Sequence, residues 1–366
     1  MMPASLDRLR LHAAYVEGAN ATAVGRLIDA GALVIGKTNL DQFATGLVGV
    51  RTPYPVPRNR AGLQRDSSRP FAEASRPAQS GVRTFDMSTD DAVVWRGMTR
   101  AELDAAYNNS AAVANSAEKV TEWTSRTAAL RAAHPDFLDL AYGPRPRNRI
   151  DVFRCGDPDA PLFAFLHGGY WQRNSKEVHG CMAAGPLARG FDVAMIGYTL
   201  SPDATLAEIV AETYDAIRWL RREGGNYGIG QGKLIVSGWS AGGHLAAMAM
   251  GLPEVDAGLA ISGVYDVEPC RLNYLNEKLG LRAEDVPDVS PIENVPLRAG
   301  PLVVAYGSRE LPELQRQSRD YRAAWMEAGK PGTLFALDDD HFSILEKLAS
   351  PDGALTEALL ALLNEP

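Results

Sequence analysis

The feature that most constrains this chain is a regular alternation of short apolar and amphipathic segments, which runs from about residue 138 to the end. The apolar runs at 161–166 and 233–237 are continuous, as in strands buried on both faces of a sheet. Strands are predicted at 138–142, 149–154, 161–166, 192–198, 233–238, 257–263, 301–306 and 333–337. Strands that alternate with helices predict an α/β fold with a mostly parallel sheet and helices on both faces.

Two of the intervening helices carry clear end signals. Thr205 and Glu208 have the spacing of a capping box, so a helix is predicted over 205–222. A second helix is predicted over 312–328, because Gly329 follows it and Pro331 lies just beyond.

The composition limits the kinds of partner that we expect the chain to bind. The chain has 45 acidic and 37 basic residues, a net charge of -8, and only seven lysines among scattered arginines. No basic stripe exists to follow a phosphate backbone, so no nucleic acid partner is expected. The N-terminus has no apolar signal segment, and no run of about 18 apolar residues occurs. We therefore expect no membrane association and a cytoplasmic location, and three distant cysteines indicate a reducing compartment.

The motif with the most chemical content is Gly-Trp-Ser-Ala-Gly at 238–242, which fits G-x-S-x-G. It lies directly after a predicted buried strand and directly before a predicted helix. This context is typical of a strained turn that lifts the serine oxygen out of the sheet. Ser240 is therefore the predicted nucleophile.

A second glycine-rich segment, His-Gly-Gly-Tyr-Trp at 167–171, also ends a predicted buried strand. Glycines allow the backbone to approach a substrate, so that N–H groups can surround a developing oxyanion. The predicted oxyanion hole consists of the amides of Gly169, Tyr170 and Ala241. His167 is expected to order this loop rather than act as a base.

The general base is expected after the last strand, where His341 follows three aspartates. The acid that orients it is expected after strand 301–306, and Glu310 is the first choice there. Asp266, after strand 257–263, is the alternative. The remaining histidines fit the role less well: His12, His134, His179 and His244.

Aromatic residues adjoin these motifs and suggest a substrate that bears an aryl group. The predicted pocket residues are Trp171, Trp239, Tyr265 and Phe342. The alternative is that they are ordinary core aromatics. No cofactor and no metal are expected, because the aspartates at 338–340 have no second cluster of ligands.

Together these motifs resemble the α/β-hydrolase superfamily, and within it the arylformamidase (kynurenine formamidase)-like esterases and amidases. The resemblance spans about 90–363. Beyond the serine turn and the glycine loop it rests on the sequences at 107–109, 142–143, 262–266, 310–313, 317–318 and 341–342. The family's acid is usually aspartate, whereas this chain has Glu310.

The resemblance and the residues imply a serine hydrolase with a Ser240, Glu310, His341 triad. One hypothesis is an amidase that cleaves small N-formyl or N-acyl aryl amines through an acyl-enzyme. The alternatives are a carboxylesterase that acts on small aryl or acyl esters, and a non-catalytic scaffold. The sequence leaves the oligomeric state open, with a homodimer as one alternative.

The N-terminal part of the chain has a different sequence pattern. Residues 17–59 resemble a piece of an amidase-signature enzyme such as allophanate hydrolase, without that family's catalytic residues. We predict a non-catalytic fragment over 1–60, a disordered linker over 61–86 and the catalytic domain over 87–366. A gene fusion or a misassigned start codon would explain the fragment.

Overall fold

The fold is built on an eight-stranded sheet whose strands follow the predicted segments closely. A computed structural model of the chain describes residues 92–365. Its strands are β1 (Val93–Trp95), β2 (Met98–Thr99), β3 (Leu140–Ala141), β4 (Arg149–Phe153), β5 (Leu162–Leu166), β6 (Asp192–Ile196), β7 (Leu234–Trp239), β8 (Ala257–Ile261), β9 (Leu302–Gly307) and β10 (Gly332–Leu337). Each predicted strand is found, and the short β1–β2 hairpin is additional because its residues carry no clear alternation.

The sheet order is β10-β9-β8-β7-β5-β6-β4-β3. Strands β5 to β10 are parallel to one another, whereas β3 and β4 pair antiparallel at one edge. This mostly parallel arrangement confirms the predicted fold class. It also places the carboxyl ends of the central strands along one edge, where α/β sheets build their sites.

Helices connect the strands and cover the sheet. They are α1 (Arg100–Ala106), α2 (Asn109–Ala112), α3 (Ser116–Ala133), α4 (Lys176–His179), α5 (Ala184–Ala188), α6 (Leu206–Glu223), α7 (Ala241–Ala249), α8 (Glu268–Leu272), α9 (Asn276–Leu279), α10 (Val286–Val289), α11 (Pro312–Glu327), α12 (Glu346–Ala349) and α13 (Ala354–Asn364). Thr205 and Glu208 form the predicted capping box of α6. The predicted end of α11 is also confirmed, since Gly329 follows with φ +69°.

Alternate side chains of each central strand enter two separate cores. Leu162 and Leu166 of β5 belong to one core, together with residues of α6, α7 and α11. Phe163 and Phe165 belong to the other, together with Trp123 of α3 and residues of α12 and α13. Both faces of the sheet are therefore covered, which explains why its strands read as continuous apolar runs.

The predicted fragment at 1–60, the linker at 61–86 and the predicted start of the catalytic domain at residue 87 all lie outside the described residues. Within 92–365, no helix combines the length and the apolar character that crossing a bilayer requires.

Candidate active site

Ser240 lies at the turn between β7 and α7, at the carboxyl edge of the sheet. Its backbone has φ 57° and ψ -118°, a combination that a residue with a side chain adopts only when its surroundings impose it. The Ser240 N–H donates to the carbonyl oxygen of Ile261 at 2.8 Å, which ties the turn to β8. Such a strained turn between strand and helix presents a serine at the top of the sheet.

The glycines on either side of Ser240 are required by close backbone contacts. A Cβ at Gly242 would lie 1.9 Å from the carbonyl oxygen of Leu166, and a Cβ at Gly238 would lie 2.2 Å from that of Gly242. Either distance is far inside van der Waals contact. A side chain at either position would therefore force the backbone of the turn to shift.

The loop after β5 turns back toward this site through left-handed backbone. Gly169 has φ +124° and Tyr170 has φ +51°. Among residues 92–365, none accepts a hydrogen bond from the backbone amides of Gly169, Tyr170 or Ala241. Unpaired N–H groups at a helix start and in a glycine loop are the donors that an oxyanion needs.

The loop after β10 carries His341 to within ion-pair distance of Glu310. The two groups are 3.4 Å apart, from His341 Nδ1 to Glu310 Oε2, and both side chains are almost fully buried. The other carboxylate oxygen, Oε1, accepts hydrogen bonds from the Gly307 N–H at 2.8 Å and from the Ser262 hydroxyl. Glu310 is therefore held on one oxygen while the other faces the imidazole.

Asp266, the alternative acid, has a different environment. Its carboxylate accepts a hydrogen bond from the Glu268 N–H at 3.0 Å, and burial raises its pKa. Within the described part of the chain, Glu310 and not Asp266 is the carboxylate at ion-pair distance from His341.

Ser240 and His341 line the same cavity, whose volume is about 290 Å³. Trp239 and Phe342, two of the predicted pocket residues, also line it. Trp171 and Tyr265 do not: both are fully buried in the core. The Trp171 indole donates to His244 Nδ1 at 3.2 Å, and the Tyr265 ring stacks on another tyrosine. The alternative reading as core aromatics fits these two.

Much of the cavity lining comes from residues that the motif analysis did not single out. They lie on α2, on α3 and in the glycine loop: Asn109, Ser110, Ser116, Ala117, Val120, Arg173 and Asn174. The sequence at 107–109 contributed to the family resemblance, and that was the available signal for Asn109. Small and polar residues on α3 carry no comparable signal.

Three other histidines near the sheet are buried. Burial lowers the pKa of His167 to about 3 and the pKa of His179 and His244 to about 4. His167 stacks on Tyr198 with ring centroids 4.2 Å apart. These imidazoles are therefore neutral at physiological pH.

Two of the three aspartates before His341 shape its loop. Asp340 accepts hydrogen bonds from the amides of Phe342 and Ser343, both at 2.8 Å. Asp339 accepts one from the Ser343 hydroxyl at 2.9 Å. Within residues 92–365 no cluster of three or more His, Cys, Asp or Glu side chains could hold a metal ion.

The chain is similar over most of its described length to known hydrolases. The family model BD-FAE matches residues 153–262. Kynurenine formamidase of Salmo salar is 30% identical in an alignment of 296 positions that covers 74% of this chain and 99% of that protein. The chain belongs to the kynurenine formamidase family. With this family's fold and motifs, it is a hydrolase of the arylformamidase-like class.

A solved structure has the same fold as this chain. A candidate thioesterase from Silicibacter sp. TM1040 superposes with a TM-score of 0.64 at 29% identity, covering 72% of this chain and 98% of that one. The predicted α/β-hydrolase fold is thereby confirmed for this member of the kynurenine formamidase family.

One further match is short. Urea amidolyase of Lachancea kluyveri is 70% identical over 40 residues, which are 11% of this chain and 2% of that protein.

Proposed function

We propose that the protein is a serine hydrolase in which Ser240 is the nucleophile, His341 the general base and Glu310 the acid that orients it. The observation that carries this proposal is the 3.4 Å approach of His341 Nδ1 to Glu310 Oε2 beside a cavity that Ser240 also lines. An imidazole whose Nδ1 lies beside a carboxylate has Nε2 left for the serine hydroxyl. Catalytic contacts of this kind often tighten when substrate binds.

The proposed reaction has two steps. His341 Nε2 takes the proton of the Ser240 hydroxyl while Oγ bonds to the substrate carbonyl carbon. The negative charge that forms on the carbonyl oxygen is stabilised by the amides of Gly169, Tyr170 and Ala241. The carbon–nitrogen bond then breaks, and His341 gives its proton to the leaving amine. Water, deprotonated by His341, releases the acid and restores the serine.

The proposed substrates are small N-formyl or N-acyl aryl amines, and a formylated kynurenine is one candidate that the relatives' name suggests. The indole of Trp239 and the ring of Phe342 give the cavity two aromatic walls. Aromatic walls and a few polar groups are the usual lining of a site for a small aromatic ligand. The cavity volume of about 290 Å³ suits a ring with a short acyl group.

The test measures kcat/KM for formanilide and for phenyl formate, with Ser240→Ala as the blank and a fluorophosphonate as active-site titrant. We expect turnover of formanilide and stoichiometric labelling, both lost in Ser240→Ala. Turnover of phenyl formate alone would make the protein a carboxylesterase. Retained activity in Ser240→Ala would overturn the proposed nucleophile.

A further inference from the structure

Asn109 occupies the start of α2 and lines the cavity that holds Ser240 and His341. Its side chain is as buried as the proposed nucleophile, with 3% of Asn109 and 2% of Ser240 exposed. A buried amide carries two kinds of polar group, and both need partners.

The hydrogen bonds around Asn109 determine which end of its amide is free. The Tyr170 hydroxyl has a single proton, which it donates to the carbonyl oxygen of Tyr107 at 2.7 Å. A carbonyl oxygen can only accept, so the Tyr170 oxygen is left as an acceptor toward Asn109. Asn109 Nδ2 accordingly donates to it at 3.0 Å. The network therefore assigns the orientation of the amide.

The remaining group, Asn109 Oδ1, has no hydrogen-bond partner among residues 92–365. A buried acceptor left without a donor is destabilising, so such a group on a residue of the cavity wall favours a ligand that supplies one. Ser240, His341 and Asn109 thus line one cavity, and the Asn109 amide carries an oriented acceptor that no residue of 92–365 pairs.

We propose that Asn109 is a specificity-determining residue whose Oδ1 accepts a hydrogen bond from the N–H of the scissile aryl amide. This inference rests on the proposed function, since it names the side chain that distinguishes an amide from an ester in the proposed active site. An aryl ester has an oxygen without hydrogen at that position and leaves Oδ1 unpaired. Sites built to hydrogen-bond a substrate group discriminate strongly against analogues that lack it.

The experiment compares Asn109→Ala with the wild-type chain on formanilide and phenyl formate. Rates are divided by the concentration of active sites, measured by titration with a fluorophosphonate. Misfolded protein therefore does not contribute to the comparison. We expect kcat/KM for formanilide to fall about 10- to 100-fold and that for phenyl formate to change less than about 3-fold. The matched control is Asn226→Ala, which removes an exposed asparagine side chain and should leave both rates unchanged.

An equal loss on both substrates, or no loss on formanilide, would overturn the role of Asn109 while leaving the proposed triad intact. Wild-type turnover of phenyl formate without formanilide would instead count against the proposed function itself. If Asn109→Ala does not fold, the wild-type chain still tests the inference with N-methylformanilide, which has no N–H. Its kcat/KM, corrected for the difference between the two compounds in uncatalysed alkaline hydrolysis, should be at least about tenfold lower than that of formanilide. Equal corrected values would contradict the proposal.

Discussion

The indole Nε1 of Trp239 donates a hydrogen bond to the carbonyl oxygen of His341 at 2.8 Å. The residue before the proposed nucleophile thus holds the backbone of the proposed base directly. Their rings also pack, with centroids 4.8 Å apart. The serine turn and the histidine loop come from segments about a hundred residues apart in sequence, and this contact sets one against the other.

Trp239→Phe should therefore lower kcat more than it raises KM. The phenyl ring keeps much of the packing but cannot donate to His341, and a lost hydrogen bond of about 1 kcal/mol corresponds to roughly a fivefold to tenfold effect. Steady-state kinetics on formanilide would measure the two parameters. A change confined to KM would mean that Trp239 only contacts substrate.

Replacing the two candidate acids separately distinguishes them. Glu310→Gln should lower kcat by about 10³- to 10⁴-fold, because an amide no longer holds the imidazole in the productive tautomer. Asp266→Asn should keep most of the activity, since its carboxylate contacts the Glu268 amide. If Asp266→Asn loses activity and Glu310→Gln retains it, Asp266 and not Glu310 is the acid that orients His341.

The serine turn should not tolerate a methyl group. Gly242→Ala places a Cβ 1.9 Å from the Leu166 carbonyl oxygen, so the free energy of unfolding should fall by about 3 kcal/mol or more. Gly225→Ala is the matched control, because a Cβ there has no atom within 4 Å, and its stability should change by less than about 1 kcal/mol. Denaturant unfolding of both variants gives the comparison, and similar stabilities would contradict it.

The buried histidines should make stability depend on pH in the acid range. The pKa of His167, His179 and His244 is lowered by burial to about 3, 4 and 4, whereas an unfolded histidine titrates near about 6.5. Between these values the unfolded chain binds more protons, so the free energy of unfolding must fall as pH falls from about 6.5 to about 4.

Each of these histidines contributes up to about 1.4 kcal/mol per pH unit. Denaturant titrations at several pH values would measure the slope, and His179→Gln should make it shallower. Asn226→Ala is the control, because it replaces an exposed side chain that does not titrate, and its slope should match that of the wild-type chain. A stability that is flat over this range would contradict the expectation.

The sequence predicted the strands well because strands buried on both faces are uninterrupted apolar runs. Helix α6 was equally legible, since Thr205 and Glu208 interact locally. Which side chains face the cavity was harder to predict. Trp171 and Trp239 both adjoin a motif, yet only Trp239 lines the cavity, because positive φ at Tyr170 and Trp171 redirects the chain after β5. No sequence period reports such a local reversal.

The wall formed by α2 and α3 lies outside the strand connections that carry Ser240, Glu310 and His341. Its small residues on α3, Ser116 and Ala117, line the cavity but belong neither to the serine turn nor to the loop that carries Glu310. Chemistry and substrate range therefore reside in separable parts of the chain. A lineage with this architecture can acquire new substrates by altering one helix pair while its reaction machinery stays constant.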